Sequence, residues 1–292
     1  MSHDLEELDE SVCDGLLVDS EGWAFGGSFE DPLAGVDLTV PDGVDPVALA
    51  RTCLALGDDA LVLGHRLSEW CSRAPDLEED VALANMALDL LGQARLLLTR
   101  AAAADPSVVP ALPEGSPAPA EDALAYFRDA QDFRCHRLVE VAGGDFGRTV
   151  ARLLLCSTVR LAACDRFRSH PDPVLAAIAA KAVPELTYHR DWSARWCVVL
   201  AHGTEESRRR LVTGLEDVWP LHHEHAAAYD VGQAVDAVLD QVLGAAGLER
   251  PARGPRLGGG LGGGPGGGHT EALSLLLAEM QSVARAHPRG RW

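Results

Sequence analysis

Basic residues are scarce in this 292-residue chain, and lysine is almost absent. The 25 Lys and Arg residues stand against 44 acidic residues, for a formal net charge of −19, and Lys181 is the one lysine. Because nucleic-acid phosphates require a basic face, this balance argues against a nucleic-acid partner. No uninterrupted apolar run approaches the ~20 residues of a membrane helix, and the start lacks the pattern of a secretory signal. We therefore expect a cytoplasmic protein with no membrane partner.

The negative charge is concentrated near the N-terminus. Thirteen of the 44 acids precede Arg51, the first Lys or Arg, so the rest of the chain has 31 acids against 25 basic residues. Residues 1–45 are also rich in Gly and Pro and have no sustained period. We predict that this segment is a disordered acidic tail. A solvated tail is favoured over a segment that binds a basic partner.

Strand signals are nearly absent, because apolar and polar residues do not alternate at the spacing of a β-sheet. The seven cysteines form no CxxC pair, which favours reduced, mostly buried thiols. Helical periodicity dominates instead, and Asp45-Pro46 offers an N-cap followed by proline at the first helical position. Helices are predicted over residues 46–71, 76–104, 121–139, 148–169, 173–202 and 269–285, with one or two further helices within 205–244.

These elements predict an all-α fold, a ferritin-like four-helix bundle with additional helices. The central four helices are 46–71, 76–104, 148–169 and 173–202, within a bundle domain of residues 46–249. Residues 250–268 are glycine-rich and are predicted to be a flexible linker. Residues 269–292 then form a C-terminal helix and tail.

A four-helix bundle of this size raises the question of a di-metal carboxylate site. Such a site takes a Glu from each of two helices and a Glu-x-x-His motif from each of the other two. The helix 76–104 contains no Glu-x-x-His. The helix 173–202 has Glu185 four residues before His189, with Leu186 where the motif needs its Glu. Both motifs are therefore missing.

Several stretches of the sequence resemble the C subunit of ring-1,2-phenylacetyl-CoA epoxidases. The resemblance covers about residues 50–292, with the glycine-rich insert as a local departure. The matching stretches are 56–59, 61–63, 66–71, 74–78, 83–85, 88–95, 179–182, Glu185, Tyr188-His189, 269–271, 277–281 and Trp292. The runs around Asp89 and near the C-terminus are the longest and most specific.

The resemblance implies where metal ligands have been lost. The catalytic A subunit of such complexes carries a di-iron centre, with Asp-Glu-x-Gly-His on one helix and Glu-Glu-x-x-His on another. Against those patterns Leu90 and Leu186 replace ligand glutamates, Gln93 replaces a ligand histidine, and His189 is retained. Ungapped extension of the register places Ala60 and Ser157 at the two single-Glu positions. Because leucine cannot coordinate iron, the resemblance implies no metal in this chain.

The remaining polar residues admit structural interpretations. His189 is interpreted as a core histidine rather than a relic ligand, because co-ligands are missing. Lys181 precedes Glu185 by one turn, which is typical of an i, i+4 ion pair. We hypothesise that Asp89, Gln93, Lys181, Glu185 and His189 form a buried polar network where metal would sit. For the cluster His222–His225, a surface histidine-rich turn is favoured over a metal site.

The resemblance implies a non-catalytic structural subunit of a multicomponent phenylacetyl-CoA ring-epoxidising monooxygenase. Its partners would be the catalytic A-type subunit, the small B-type subunit and a reductase. The cofactors would lie in those partners: di-iron in the A subunit, FAD and iron–sulfur in the reductase. Two alternatives stay open. One is a self-contained oxygenase with rearranged ligands, including His189 and the cluster at 222–225. The other is a free-standing ferritin-like binding protein.

Overall fold

The computed structural model describes residues 39–252 and 268–290. Within these ranges every regular element is helical. The α-helices are α1 (Pro46–Ser68), α2 (Leu77–Ala104), α3 (Ala120–Tyr126), α4 (Arg137–Glu140), α5 (Phe146–Phe167), α6 (Pro173–His202), α7 (Glu205–Ala228), α8 (Gly232–Ala245), α9 (Glu271–Met280) and α10 (Ser282–Ala286). The predicted all-α helical bundle is confirmed, whereas most of the predicted acidic tail and glycine-rich linker lies outside the described residues.

The four long central helices begin at or near the predicted positions because local capping signals specify their starts. The Asp45 side chain accepts hydrogen bonds from Val47 N and Ala48 N, with Pro46 at the first helical position. Asp76 caps α2 through Glu79 N, at 2.9 Å. Asp172 caps α6 through Leu175 N, at 2.8 Å. Each cap satisfies an amide that would otherwise lack a partner at a helix start.

The bundle is built from two helix pairs. Helix α1 packs along α2, α5 packs along α6 and α7, and α2 meets α6. One apolar cluster fills the interior and extends from Leu49 in α1 to Leu277 in α9. Five of the six described cysteines are buried within the protein as free thiols.

The predicted helix 121–139 is wrong, because the chain there forms only α3, a 3₁₀ turn (Ala130–Asp132) and the single turn α4. Two buried carboxylates of α1 account for the difference. Asp58 accepts a hydrogen bond from Arg134 N at 2.7 Å and pairs with the Arg128 guanidinium. Asp59 accepts one from His136 N at 2.8 Å. Since these amides bond to side chains of another helix, they cannot continue a helical ladder.

The predicted C-terminal helix is divided into α9 and α10 at Gln281. The buried amide of Gln281 donates to Ala125 O at 3.1 Å and to Arg128 O at 3.0 Å. The last helices are thereby attached to α3 and to the segment that follows it.

Among the described helices, α2 alone is long and apolar enough to span a membrane by length and composition. It also packs along α1 and against α6. Core helices of globular proteins pass the same test, so this finding is weak evidence for a membrane span.

Candidate functional site in the bundle core

The six positions that the resemblance aligns with metal ligands of the catalytic subunit all lie in the interior. Leu90 and Leu186 are completely buried on α2 and α6, and Gln93 and His189 are buried beside them. Ala60 and Ser157 are buried on α1 and α5. The Ser157 hydroxyl donates to Leu153 O at 2.6 Å, within its own helix. Because Leu90, Leu186 and Ala60 offer no donor atom, these residues do not fit a di-iron centre.

The five proposed network residues lie in two groups. Of the five, Gln93 and His189 are buried as expected, whereas Asp89, Lys181 and Glu185 are partly exposed. In the first, Gln93 Nε2 donates to Glu185 Oε2 at 2.9 Å, and Lys181 Nζ donates to Glu185 Oε1. In the second, His189 Nε2 lies 3.0 Å from Asp89 Oδ2. Each group spans α2 and α6, and the i, i+4 spacing within each helix places the groups one turn apart.

Arg160 is a member of this site that the sequence reasoning did not identify. Its side chain is completely buried on α5. Nη2 donates to Gln93 Oε1 at 2.9 Å, and Nη1 donates to Leu56 O at 3.0 Å. The amide of Gln93 thus accepts from Arg160 and donates to Glu185. The available signal was an arginine in the apolar face of α5, one turn after Ser157.

The interpretation of His222–His225 as a surface turn is wrong. Both end residues lie within α7 and are buried. His222 Nδ1 lies 2.7 Å from Trp219 O, and its ring packs on the Trp219 ring. Burial, then the nearby His223, lowers the pKa of His222 to about 4. The i, i+3 spacing places His222 and His225 on the face of α7 that packs inward.

His225 belongs to a second buried cluster, formed around Asp59. Asp59 Oδ2 lies 2.8 Å from His136 Nδ1, 3.0 Å from His225 Nε2, and accepts a hydrogen bond from the Tyr229 hydroxyl at 3.2 Å. The two imidazole rings stack with their centroids 4.4 Å apart. Neither His136 nor His225 was predicted to meet Asp59, because they lie in distant parts of the sequence.

Burial and neighbouring charges shift the pKa values of the three titratable groups Asp59, His136 and His225 in different directions. Burial would raise the pKa of Asp59, but the charges and hydrogen bonds of the two imidazoles outweigh it and hold that pKa well below its usual range. Burial opposes protonation of His136, yet the adjacent Asp59 raises its pKa. For His225 burial prevails and lowers the pKa to about 4. These shifts favour a proton on His136 rather than on His225.

Among the described residues, two groups of three side chains have the donor types and the spacing that a metal ion requires. One is Asp59, His136 and His225, with donor atoms within 4.8 Å of one another. The other is Cys135, Glu140 and His269. In the second group Glu140 Oε1 lies 2.6 Å from His269 Nδ1, and Glu140 Oε2 accepts from Thr270 N at 2.6 Å. Glu140 therefore fastens the start of α9 to α4.

Comparisons with known proteins agree with this architecture. Residues 42–238 match the family described as phenylacetic acid catabolic protein. The chain is also 38% identical over 256 residues to the C subunit of 1,2-phenylacetyl-CoA epoxidase from Escherichia coli strain K12. That alignment covers 84% of this chain and 99% of the relative. The chain therefore belongs to the phenylacetic acid catabolic protein family.

Proposed function

We propose that this chain is the non-catalytic structural subunit of a phenylacetyl-CoA ring-epoxidising monooxygenase, in which it braces the catalytic subunit. One observation carries the proposal. The interior positions that would have to supply carboxylates to a di-iron centre are the buried Leu90 and Leu186. The polar space beside them is held by Arg160, Gln93 and Glu185. The guanidinium of Arg160 and the amide of Gln93 are neither a Lewis acid nor a redox centre.

The relative's name supports membership of a complex. That relative is a subunit of an epoxidase, and the alignment spans almost its whole length. We infer that this chain acts as a subunit too, in the cytoplasm. It would contact a catalytic subunit with a di-iron centre, a small B-type subunit and a reductase with FAD and iron–sulfur.

An exposed apolar stripe on α2 supports a docking role. Leu77, Val81 and Leu88 lie within one narrow sector of the helix by their spacing, and all three are exposed, Leu77 by 73% and Leu88 by 65%. Stable subunit interfaces bury such patches. We infer that this stripe, called here the α2 stripe, contacts the catalytic subunit.

Reconstitution with purified subunits tests the proposal. This chain and its catalytic partner are expressed separately and together, and each preparation is assayed for iron and for O₂-dependent epoxidation of phenylacetyl-CoA, with the reductase supplied. We expect about two irons per catalytic chain, and activity that needs both subunits. A catalytic subunit that is equally active without this chain would exclude the bracing role.

The alternative of a self-contained oxygenase predicts a different result. This chain alone, loaded with Fe(II) and supplied with reductant, would then convert phenylacetyl-CoA. The free-standing binding protein predicts failure to co-purify with a catalytic subunit. His189 contacts Asp89, whereas His225 contacts Asp59, so the two histidines that the oxygenase alternative invokes have different carboxylate partners.

A further inference from the structure

The Asp59 cluster is the strongest unassigned site in the described protein. Its side chains come from three parts of the chain: Asp59 from α1, His136 from the residue before α4, and His225 and Tyr229 from the end of α7 and the position after it. Asp59, His136 and His225 are at most 1% exposed, and Tyr229 is 7% exposed. None of these residues belongs to the group around Gln93 and Glu185.

We propose that Asp59, His136 and His225 bind one divalent transition-metal ion, with Tyr229 as the fourth donor. Two imidazoles and a carboxylate form a donor set that suits Zn²⁺ and its neighbours in the first transition series. Metal–ligand bonds of about 2.0–2.2 Å place tetrahedral donors roughly 3.3 Å apart. The three donors lie 2.8, 3.0 and 3.2 Å from Asp59 Oδ2, and the ligand atoms of Asp59, His136 and His225 lie within 4.8 Å of one another. Because the two rings stack with their planes 25° apart and a bound ion lies in the plane of each imidazole, one ring must rotate out of the stack to take up the ion.

Hydrogen bonding within the cluster is incomplete, which independently indicates a ligand. Three polar groups converge on the single oxygen Asp59 Oδ2, and neither ring nitrogen of the buried His225 makes a hydrogen bond of ordinary geometry. Buried polar atoms of this kind are rare in folded proteins. An ion coordinated by His225 Nε2 would satisfy that atom.

The surroundings already orient the carboxylate. His136 N donates to Asp59 Oδ1 at 2.8 Å, which holds the carboxyl group and leaves Oδ2 for the ion, as outer hydrogen bonds do in known metal sites. A divalent ion would be balanced by two anionic donors, the Asp59 carboxylate and the Tyr229 phenolate, with the phenol proton released to solvent as the ion binds.

Zinc content of the untagged full-length chain tests this site. Because the cluster is buried, the ion is supplied during expression in zinc-supplemented medium and, separately, during refolding with Zn²⁺, followed by dialysis and elemental analysis. We expect about one zinc per chain for the wild type, and less than about one tenth of that for His225→Gln and His136→Gln. Tyr229→Phe should bind zinc at least about tenfold more weakly. His223→Gln, on the same helix but outside the cluster, is the matched control and should bind as the wild type does.

A second measurement protects the test against variants that fail to fold. With the wild type alone, Zn²⁺ at about a hundredfold excess over Kd should raise the thermal midpoint by roughly 5–10 °C. Co²⁺ in place of Zn²⁺ should give the intense visible absorption of a four-coordinate site. A wild type that holds no zinc after either loading, or a folded His225→Gln variant that holds as much as the wild type, would overturn the proposal. Either result leaves the structural-subunit proposal unaffected, since that proposal does not depend on this ion.

Discussion

At the scale of single residues, the interior is organised around a buried guanidinium. Placing the Arg160 cation out of water is costly unless its donors are paired. Its two terminal nitrogens donate to Gln93 Oε1 and to Leu56 O, whereas its Nε makes no hydrogen bond within the described protein. Glu185 lies on the other side of Gln93 and also binds Lys181. The series of hydrogen bonds from Lys181 to Arg160 thus connects α6, α2, α5 and α1. Apolar packing alone would not specify which polar side chains meet in this way.

Arg160→Met should therefore destabilise the protein. The substitution keeps the apolar stem but leaves the Gln93 carbonyl without its buried donor, which we expect to lower the free energy of unfolding by about 1–3 kcal/mol. Chemical denaturation followed by circular dichroism measures the change. Arg95→Met is the matched control, because Arg95 is exposed and its ion pair with Glu121 is long, at 3.9 Å. Equal stability of the two variants would contradict the role given to Arg160.

At the scale of elements, the irregular segment between α3 and α4 is the most informative. Its composition favours helix, yet Asp58 and Asp59 of α1 hold it in another conformation through Arg128, Arg134 and His136. A fully buried carboxylate must recruit several donors, and backbone amides are the nearest ones. The segment gives up helical hydrogen bonds and supplies these donors instead.

The attachment of α9 should depend on pH through His269. Burial lowers the pKa of His269, but the hydrogen bond and charge of Glu140 outweigh it, so the pKa is raised in the folded protein. A raised pKa means that the stabilisation is complete below the ordinary value of about 6.5 and is lost as the pH rises through the folded value. Hydrogen exchange of the α9 amides, corrected for intrinsic rates, should therefore show less protection at about pH 9 than at about pH 6. His269→Gln should abolish this difference, and an unchanged pH dependence in that variant would refute the assignment to His269.

The α2 stripe should govern docking of the catalytic subunit. Leu88→Arg places a charge in the apolar stripe, and we expect co-purification with that subunit to fall at least about tenfold. The melting temperature of the isolated chain should stay unchanged, because Leu88 is 65% exposed. Leu275→Arg is the control, since Leu275 is 64% exposed on α9. If both variants co-purify equally well, the stripe is not the interface.

At the scale of the whole molecule, the structure combines a well-filled core with an exposed apolar surface. Large apolar side chains are exposed on α1, α2, α6, α9 and in α10: Val47, Leu77, Val81, Leu88, Val199, Leu275 and Val283. A high net negative charge of −19 opposes self-association of such a surface.

The isolated chain should consequently be less soluble than its complex, and salt should accentuate the difference. Screening shortens the reach of charge repulsion to about 8 Å at physiological ionic strength and further at higher salt. Light scattering at equal protein concentration, with and without the catalytic subunit, measures the effect. Self-association that is the same for both samples at all salt concentrations would contradict this expectation.

The sequence by itself determined the helical class, the starts of the long helices and the absence of carboxylates at Leu90 and Leu186. These features depend on local spacing and capping, which operate within a few residues. The same spacing placed Glu185 and His189 on one face of α6. Resemblance to the epoxidase subunits then identified the family.

Only the tertiary structure decided which distant side chains meet. Asp59 and His136 are 77 residues apart in the chain, and Tyr229 is 170 residues from Asp59. Helical periodicity predicts which face of a helix points inward. It does not predict which residue of another helix lies opposite a given residue on that face. That depends on the register of all packed helices and on the path of the segment before α4. For this reason the sequence did not predict the buried Arg160, the inward histidines of α7 or the cluster around Asp59. The packing of the helices determines all three.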